Sequence, residues 1–422
     1  MTTFSVEVHQ NEYLPIGGTD VSAVVRVTSD GSVGASGVEA SEVIILDVSG
    51  SMQTPRTKIR AAVAATIAAI QCVRDGAHFA VIAGSTSARE VFPGDGHLAV
   101  ASEETRTAAI TAVAQLTAGG GTVMASWLWH ADALFASRPG AINHAILLTD
   151  GKDGAPEELQ HAVAECEGRF QCDCRGIGAD WDVAQLRQVA SALLGDLGLV
   201  REPDELTADF TGLMERAMAR AVNDVALRVW TPQSASVVLL KQVAPVLEDL
   251  TGRRTDSSDR TGDYPTGAWA AEYRDYHLRI HVPARDSGEE MLAARVTIVV
   301  DDVPVAEGKV RAVWTTDDAL STRLNAEVVR CTGHTDYADA VQRGVEALRA
   351  GDEGTATTNL GRAAQLAQAL GDDAKLAEVS RVVHIDDAER GTVRLKRHVD
   401  ELDVMELDTN STRTVRVRSS TP

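Results

Sequence analysis

The sequence predicts an α/β fold in which a doubly wound, mostly parallel sheet is inserted in a β-sandwich and followed by a C-terminal helical region. Three patterns along the 422 residues support this prediction. Strand and helix patterns alternate over residues 41–222, which is typical of a parallel sheet with helices on both faces. Strand patterns alone occupy residues 223–315. Helical spacing of apolar residues then extends over residues 316–391.

The first segment, residues 1–40, contains two stretches, 5–9 and 21–28, that alternate like strands with one wet face. A hairpin of two strands is marginally stable in water when it stands alone. We therefore expect these strands to pair with the strands of residues 223–315. Residues 41–222 would then be an insertion between strands of one β-domain.

The inserted domain begins with the apolar run of residues 43–46, which indicates a strand buried on both faces. Further strands are predicted over residues 78–83, 89–92, 142–148, 170–177 and 197–200. Helices are predicted over residues 58–73, 103–116, 124–136, 156–168, 183–194 and 204–222. This alternation favours a doubly wound parallel sheet.

The region of residues 223–315 is predicted to form a β-sandwich, because it holds several short strands separated by turn signals. These strands cover residues 225–230, 236–240, 267–273, 276–282, 292–299 and 308–314. Residues 253–265 are rich in Asp, Ser, Arg, Thr and Gly, and this composition predicts a mobile loop.

Residues 316–391 carry apolar side chains at three- and four-residue spacing, which predicts a helical hairpin or bundle. The helices cover residues 320–332, 337–350, 355–370 and 373–385. Gly-Asp turns between Ala- and Leu-rich helices also suggest a tetratricopeptide-like hairpin. Only about two such units are visible, so a plain bundle is the favoured interpretation.

The last segment, residues 392–422, is predicted to be a flexible tail. It carries an acidic run, then threonines, then alternating Arg and Val, and a solvated terminus explains this composition. A second interpretation makes Thr409, Thr412 and Thr414 phosphorylation sites. A phosphothreonine would place a charge of about −2 beside arginines, where a phosphothreonine-binding domain could recognise it.

Oxygen-bearing side chains follow two of the predicted buried strands and one glycine-rich turn. They are Asp47, Ser49, Ser51, Thr122 and Asp150. Each alone has an ordinary explanation as a helix cap or a turn residue. Together they form a set of hard oxygen ligands, and such ligands select Mg²⁺, Mn²⁺ or Ca²⁺. Both acidic motifs lie at the carboxyl ends of strands, where doubly wound sheets bind their ligands.

The pattern Asp-x-Ser-x-Ser, a distant Thr, and Asp-Gly after a strand resembles the metal-ion-dependent adhesion site (MIDAS) of von Willebrand factor A (VWA) domains. The chain is also similar in layout to bacterial cytoplasmic multi-domain members of that family. The resemblance implies a VWA fold, which is Rossmann-like, and an intact MIDAS. It implies that Ser49 and Ser51 bind the metal directly and that Thr122 binds it in the ligand-engaged form. It implies that Asp47 and Asp150 act through water.

Neutral hydroxyl ligands leave a divalent ion under-neutralised, with an open coordination position. A carboxylate from an Asp or Glu of a partner protein can complete the shell. Mg²⁺ suits the site best, since it takes six oxygens and readily keeps waters.

Composition excludes several functional classes. The net charge of −21 and the pI near 4.9 argue against nucleic-acid binding.

The chain has no apolar run long enough to span a bilayer and no signal peptide at its start, so we expect a cytoplasmic protein. Only six of the 40 basic residues are Lys, which suggests a bacterial source with a GC-rich genome. The five cysteines are odd in number, and the spacing of Cys166, Cys172 and Cys174 is no standard zinc pattern, so we expect buried thiols.

The favoured function is a metal-dependent protein–protein interaction module in a bacterial scaffold or regulatory protein, and not an enzyme. The sequence contains no Gly-x-Ser-x-Gly elbow, no His-Glu-x-x-His motif and no P-loop. No His or Glu that could serve as a general base lies close to either acidic motif, which disfavours a metal-dependent hydrolase. The main alternative is a substrate or adaptor of a Ser/Thr kinase that is recognised through the C-terminal threonines.

Overall fold

The structure is a computed structural model that describes residues 2–32 and 39–414. The described chain divides into two compact units. The first contains residues 39–223 together with residues 267–270. The second contains the remaining described residues, from the N-terminal segment to residue 414.

The described chain opens with three strands that belong to the second unit: β1 (Phe4–Asn11), β2 (Tyr13–Pro15) and β3 (Asp20–Asp30). The first unit follows with the strands β4 (Ala40–Asp47), β5 (His78–Gly84), β6 (Ala88–Phe92), β7 (Ala99–Val100), β8 (Ile142–Thr149), β9 (Gln171–Ile177) and β10 (Leu197–Val200). Its helices are α1 (Thr57–Cys72), α2 (Glu103–Val113), α3 (Met124–Phe135), α4 (Pro156–Cys166), α5 (Val183–Ala192) and α6 (Leu206–Met218).

The sheet of the first unit has the order β10-β9-β8-β4-β5-β6, and β7 pairs with β5. Strand β4 is parallel to both of its neighbours, β5 and β8. The chain therefore leaves β4 toward one side first and returns to build the sheet on the other side. This reversal places a ligand-binding crevice at the carboxyl end of β4. The arrangement confirms the predicted doubly wound, mostly parallel sheet.

Strand β4 is the centre of the unit, because all eight of its residues are buried. Ile44 and Leu46 belong to the core cluster that also contains Ala62 of α1 and Phe210 of α6. Fully burying one such aliphatic side chain contributes about 1.5–3 kcal/mol. The strand end that carries Asp47 is therefore held by a well-packed apolar core.

A charged network is buried at the amino-terminal half of this sheet. The two ring nitrogens of His144 lie 2.7 Å from Glu42 Oε2 and 3.1 Å from Asp173 Oδ2. Arg220 approaches Asp173 at 4.0 Å. Burial and the positive charge of Arg220 oppose a charged imidazole, but the two carboxylates outweigh them and raise the pKa of His144. The network therefore pairs two anions with two cations inside the domain.

The second unit continues with the strands β11 (Val225–Trp230), β12 (Ser236–Ala244), β13 (Glu248–Asp249), β14 (Thr255–Ser258), β15 (Thr261–Pro265), β16 (Ala271–His281), β17 (Glu290–Val300) and β18 (Val303–Thr315). One sheet has the order β1-β3-β16-β12-β13, and the other has the order β14-β15-β11-β17-β18-β2. The N-terminal strands thus pair with strands that follow the inserted domain. This pairing confirms the predicted insertion within a β-sandwich.

Two local predictions for this region are wrong. The segment 253–265, predicted as a mobile loop, contains the hairpin of β14 and β15. The two strands predicted over 267–273 and 276–282 merge into a single strand, β16, which begins only at Ala271. The predicted break falls at Asp275, which is buried within the strand. Its carboxylate accepts two hydrogen bonds of 2.8 Å from Arg26. A buried charge that is paired in this way is compatible with a central strand.

The C-terminal part contains the helices α7 (Asp318–Ser321), α8 (Ala326–Arg349), α9 (Glu353–Leu370), α10 (Asp373–Val382) and α11 (Glu401–Asn410), with the hairpin of β19 (Val383–Asp387) and β20 (Thr392–Leu395). Asp352 and Asp372 explain the Gly-Asp turns. Each carboxylate accepts a hydrogen bond from a backbone N–H of the helix that follows it. These helices confirm the C-terminal helical region of the predicted fold class. Within the described residues, no helix combines the length and apolar character that a membrane crossing requires.

The flexible tail predicted for residues 392–422 is wrong as far as residue 414. Helix α11 lies in this segment, and Val404 and Leu407 belong to the helical core. Exposed Asp400 caps α11 by accepting a hydrogen bond from the Leu402 N–H at 3.0 Å, whereas Asp408 is 4% exposed and pairs with Arg349 at 3.3 Å. Residues 415–422 lie outside the described residues.

Candidate metal centre

Asp47 is the last residue of β4, and both of its carboxylate oxygens are occupied. Oδ1 accepts a hydrogen bond of 2.6 Å from the Ser49 N–H, and Oδ2 accepts one of 2.5 Å from the Thr149 hydroxyl. Burial raises the pKa of Asp47 to about 6, although these hydrogen bonds act against the rise. The carboxylate is thus held in one orientation at the end of the central strand. Thr149 was not predicted to take part, and its only signal in the sequence is its place before Asp150.

The two serines and Asp150 form a continuous chain of oxygens. The Ser49 and Ser51 hydroxyls lie 2.9 Å apart, and the Ser51 hydroxyl donates a 2.6 Å hydrogen bond to Asp150 Oδ1. Asp47, Ser49 and Asp150 are buried, whereas Ser51 is exposed. The chain of oxygens therefore starts within the protein and reaches solvent at Ser51.

Thr122 comes to the same place from the loop between α2 and α3. Its carbonyl oxygen accepts a 2.7 Å hydrogen bond from the Gly154 N–H, in the loop after β8. A Cβ atom at Gly151 would lie 3.1 Å from the Thr122 hydroxyl and 3.4 Å from the Ser51 hydroxyl. Both hydroxyls therefore face the same glycine. A side chain at this position would fill the space between them.

Asp153 connects two of these loops and was missed in the sequence. Its Oδ1 accepts a 2.6 Å hydrogen bond from the Met124 N–H, and its Oδ2 accepts one of 2.9 Å from the Ala155 N–H. Asp153 thereby satisfies backbone donors at the starts of both α3 and α4. It holds the Thr122 loop beside the loop that carries Asp150.

Lys58 is a second residue that sequence reasoning missed. Its ammonium lies 2.8 Å from Asp150 Oδ2 and 3.2 Å from Asp180 Oδ2, and the residue is only 8% exposed. Burial alone would lower the pKa of Lys58, but the pairing with Asp150 is stronger, so the pKa is raised. The lysine lies in the first turn of α1, where the spacing pattern of that helix gives it no special role.

The structure brings all five predicted ligands to one edge of the sheet, at the carboxyl ends of β4 and β8. Mg²⁺ binds oxygens at about 2.0–2.1 Å in an octahedron, so adjacent ligand oxygens stand roughly 3 Å apart. The 2.9 Å separation of the two serine hydroxyls matches that spacing. Hydroxyl and carboxylate oxygens are also the donors that such a hard ion prefers. The residues therefore fit a divalent cation.

The threonines of the C-terminal segment are folded into the second unit. Thr409 is 1% exposed, and the Thr414 hydroxyl donates a 2.6 Å hydrogen bond to the Val243 carbonyl. The Leu247 N–H donates to the Thr412 carbonyl at 2.8 Å. A kinase would reach the Thr409 hydroxyl only after local unfolding, whereas Thr412 and Thr414 are half-buried. Their phosphorylation was predicted from composition alone and stays a prediction.

Comparison with solved structures identifies the family. A structure of von Willebrand factor type A from Catenulispora acidiphila is 46% identical to this chain, with a TM-score of 0.94. The match covers 98% of this chain and 97% of the other. The chain belongs to the von Willebrand factor type A family. VWA domains are modules that commonly mediate protein–protein interaction, and they are generally not enzymes.

Two family models place the VWA regions along the chain. The model of the von Willebrand factor type A domain matches residues 42–197, which contain all five predicted ligands. The model of the von Willebrand factor type A C-terminal domain matches residues 365–411. The second match includes α11, so the VWA family model covers most of the described part of the segment that was predicted to be flexible.

More distant VWA relatives show the fold or a part of it. The crystal structure of the ArnB paralog VWA2 from Sulfolobus acidocaldarius is 15% identical, with a TM-score of 0.59, and the match covers 97% of this chain and 98% of that one. The curated von Willebrand factor A domain-containing protein 5A of Rattus norvegicus is 25% identical over 223 residues. That match covers 51% of this chain, which spans only about a quarter (27%) of the rat protein.

Proposed function

We propose that this chain is a metal-dependent protein-binding module. A divalent ion, best Mg²⁺, would be held at the MIDAS formed by Asp47, Ser49, Ser51, Thr122 and Asp150, and it would bind an Asp or Glu carboxylate of a partner protein. The observation that carries the proposal is the chain of oxygens from buried Ser49 through exposed Ser51 to buried Asp150. Family membership supports an interaction module.

The charge of the residues favours a carboxylate as the partner group. The three hydroxyl ligands are neutral, and the negative charge of Asp150 is shared with the Lys58 ammonium at 2.8 Å. A bound ion would supply positive charge and an open coordination position at the surface. These residues would orient it and leave its charge only partly compensated, so an anionic side chain would bind best.

The cellular setting belongs to the same proposal. We propose a cytoplasmic bacterial scaffold or regulatory protein without catalytic activity. His144 lies in β8 and is fully buried between Glu42 and Asp173, so it offers no general base to the metal site. The net charge of −21 favours a protein partner over nucleic acid.

Ion binding is the first expected result. Isothermal titration of the full chain with Mg²⁺ and Mn²⁺ should show one site, and Asp47→Asn should weaken binding about 10- to 100-fold, as removal of a metal-orienting carboxylate commonly does. Asp95→Asn is the control, since Asp95 is an exposed carboxylate of the same unit. Equal affinities of wild type, Asp47→Asn and the control would contradict the proposed site.

Partner binding gives the second part of this test. Proteins retained by the immobilised wild-type chain in Mg²⁺ should be released by EDTA and should not bind Asp47→Asn. They should still bind Asp95→Asn. A partner that stays bound in EDTA and binds both variants equally would place the interaction on another surface.

A further inference from the structure

The carboxylate of Asp150 is divided between two neighbours of different charge. Its Oδ1 accepts a hydrogen bond from the neutral hydroxyl of Ser51 at 2.6 Å, and its Oδ2 is paired with the Lys58 ammonium at 2.8 Å. Asp150 is fully buried and Lys58 is 8% exposed. Solvent therefore screens this ion pair much less than it would screen a pair on the surface. The predicted ion site thus has a fixed cation beside one of its two carboxylates.

We propose that Lys58 sets the charge of the metal site. Its ammonium competes with the divalent ion for Asp150, so it weakens ion binding. Once the ion is bound, the same positive charge strengthens the attraction of the site for a partner carboxylate. This inference rests on the proposed function and names a residue that regulates it.

The surroundings of Lys58 keep its ammonium charged and in place. Asp180 lies at 3.2 Å on the loop after β9, and its carboxylate is largely exposed. A Cβ atom at Gly178 would lie 3.7 Å from Lys58 Cε and 3.8 Å from Nζ, so the loop backbone passes directly beside the lysine. Asp180 gives the ammonium a second anion, which would remain if an ion bound beside Asp150. Lys58 can therefore remain buried and charged in both situations.

Mn²⁺ titration of the full chain tests the competition. Lys58→Met and Lys58→Gln should bind Mn²⁺ about tenfold more tightly than wild type, because they remove a nearby, poorly screened like charge. Lys58→Arg keeps the charge and should stay within about threefold of wild type. Lys152→Met is the charge-matched control, since Lys152 is exposed and lies two positions after Asp150. It should change the affinity less than twofold. Far-ultraviolet circular dichroism checks that each variant is folded.

Acetate tests the second half of the inference. Titrated into the Mn²⁺-loaded protein and followed by water proton relaxation, acetate should bind Lys58→Met several-fold more weakly than wild type. Lys58→Arg should restore the wild-type affinity for acetate. Unchanged or tighter acetate binding by Lys58→Met would overturn the claim that the lysine favours an anionic partner.

The controls separate a failure of this inference from a failure of the proposed function. If Asp47→Asn loses Mn²⁺ and Lys58→Met binds it like wild type, the metal site stands and the role of Lys58 is wrong. Weaker Mn²⁺ binding by folded Lys58→Met and Lys58→Gln would also overturn it, since it would make the lysine a support of the site. If wild type binds no Mn²⁺, or Asp47→Asn binds it equally well, the proposed function itself is wrong.

Discussion

Replacing His144 by leucine should lower the free energy of unfolding of the first unit by about 3–5 kcal/mol, because it leaves buried carboxylates without their cation. Glu42 and Asp173 lie 2.7 Å and 3.1 Å from the two ring nitrogens of His144. Arg220 reaches only Asp173, at 4.0 Å, so Glu42 would lose its charged partner within the network. Chemical denaturation of the full chain, followed by circular dichroism, measures the loss.

His161→Leu is the matched control, since the side chain of His161 is 75% exposed on α4. A surface substitution of this kind should change the free energy of unfolding by no more than about 0.5 kcal/mol. A loss from His144→Leu as small as that of the control would mean that the buried network of His144 does not stabilise the first unit.

The sign of the pH dependence follows from the raised pKa of His144. The imidazole of the unfolded chain has a pKa of about 6.5. The folded state therefore binds the proton more tightly than the unfolded state does. Its stabilisation is fully present below about pH 6.5 and is lost as the pH rises through the folded pKa. The difference between wild type and His144→Leu should shrink at alkaline pH, and a difference that grows with pH would show that His144 is buried neutral.

The fold was predictable where a local sequence pattern reports how a strand or helix is buried. Apolar runs such as residues 43–46 can be satisfied only by a strand covered on both faces, and their alternation with helices leaves few topologies. The continuity of β16 across the gap between the strands predicted over 267–273 and 276–282 could not be predicted in the same way. Asp275 looks like a turn residue until Arg26, which is distant in sequence, is known to pair with it. Long-range charge pairs of this kind leave no periodic signal in the chain.

The residues of the candidate site also differ in whether local sequence patterns predict them. Asp47, Ser49 and Ser51 lie within one short motif after a buried strand, so their proximity follows from local geometry. Lys58 reaches Asp150 only because α1 packs beside the end of β8, and a lysine in a first helical turn usually indicates a solvated position. Sequence motifs therefore do not reveal residues that act on a site only through tertiary contacts. This holds even for a residue such as Lys58, which carries a full charge.

Gly176→Ala should destabilise the first unit by about 1–3 kcal/mol, the usual cost of overpacking a filled core. Gly176 lies beside Thr149 in the sheet, and a Cβ atom there would stand only 2.0 Å from Cε2 of Trp181. The indole cannot move aside cheaply. It is 2% exposed, and its N–H donates a 2.8 Å hydrogen bond to the Gly178 carbonyl. Gly119→Ala is the control, since a Cβ atom at that glycine has open space.

The same substitution should also weaken Mn²⁺ binding, because displacement of Trp181 moves the loop that carries Asp180 beside Lys58. A glycine and a tryptophan are packed in the same way on the other side of the site. Gly84 lies beside Asp47 in the sheet, and a Cβ atom there would stand 2.4 Å from the Trp127 ring. Both tryptophans thus lie over glycines that neighbour Asp47 or its partner Thr149. Denaturation and Mn²⁺ titration of Gly176→Ala should change together. A variant that loses stability but keeps wild-type Mn²⁺ affinity would show that the tryptophan supports the fold and not the site.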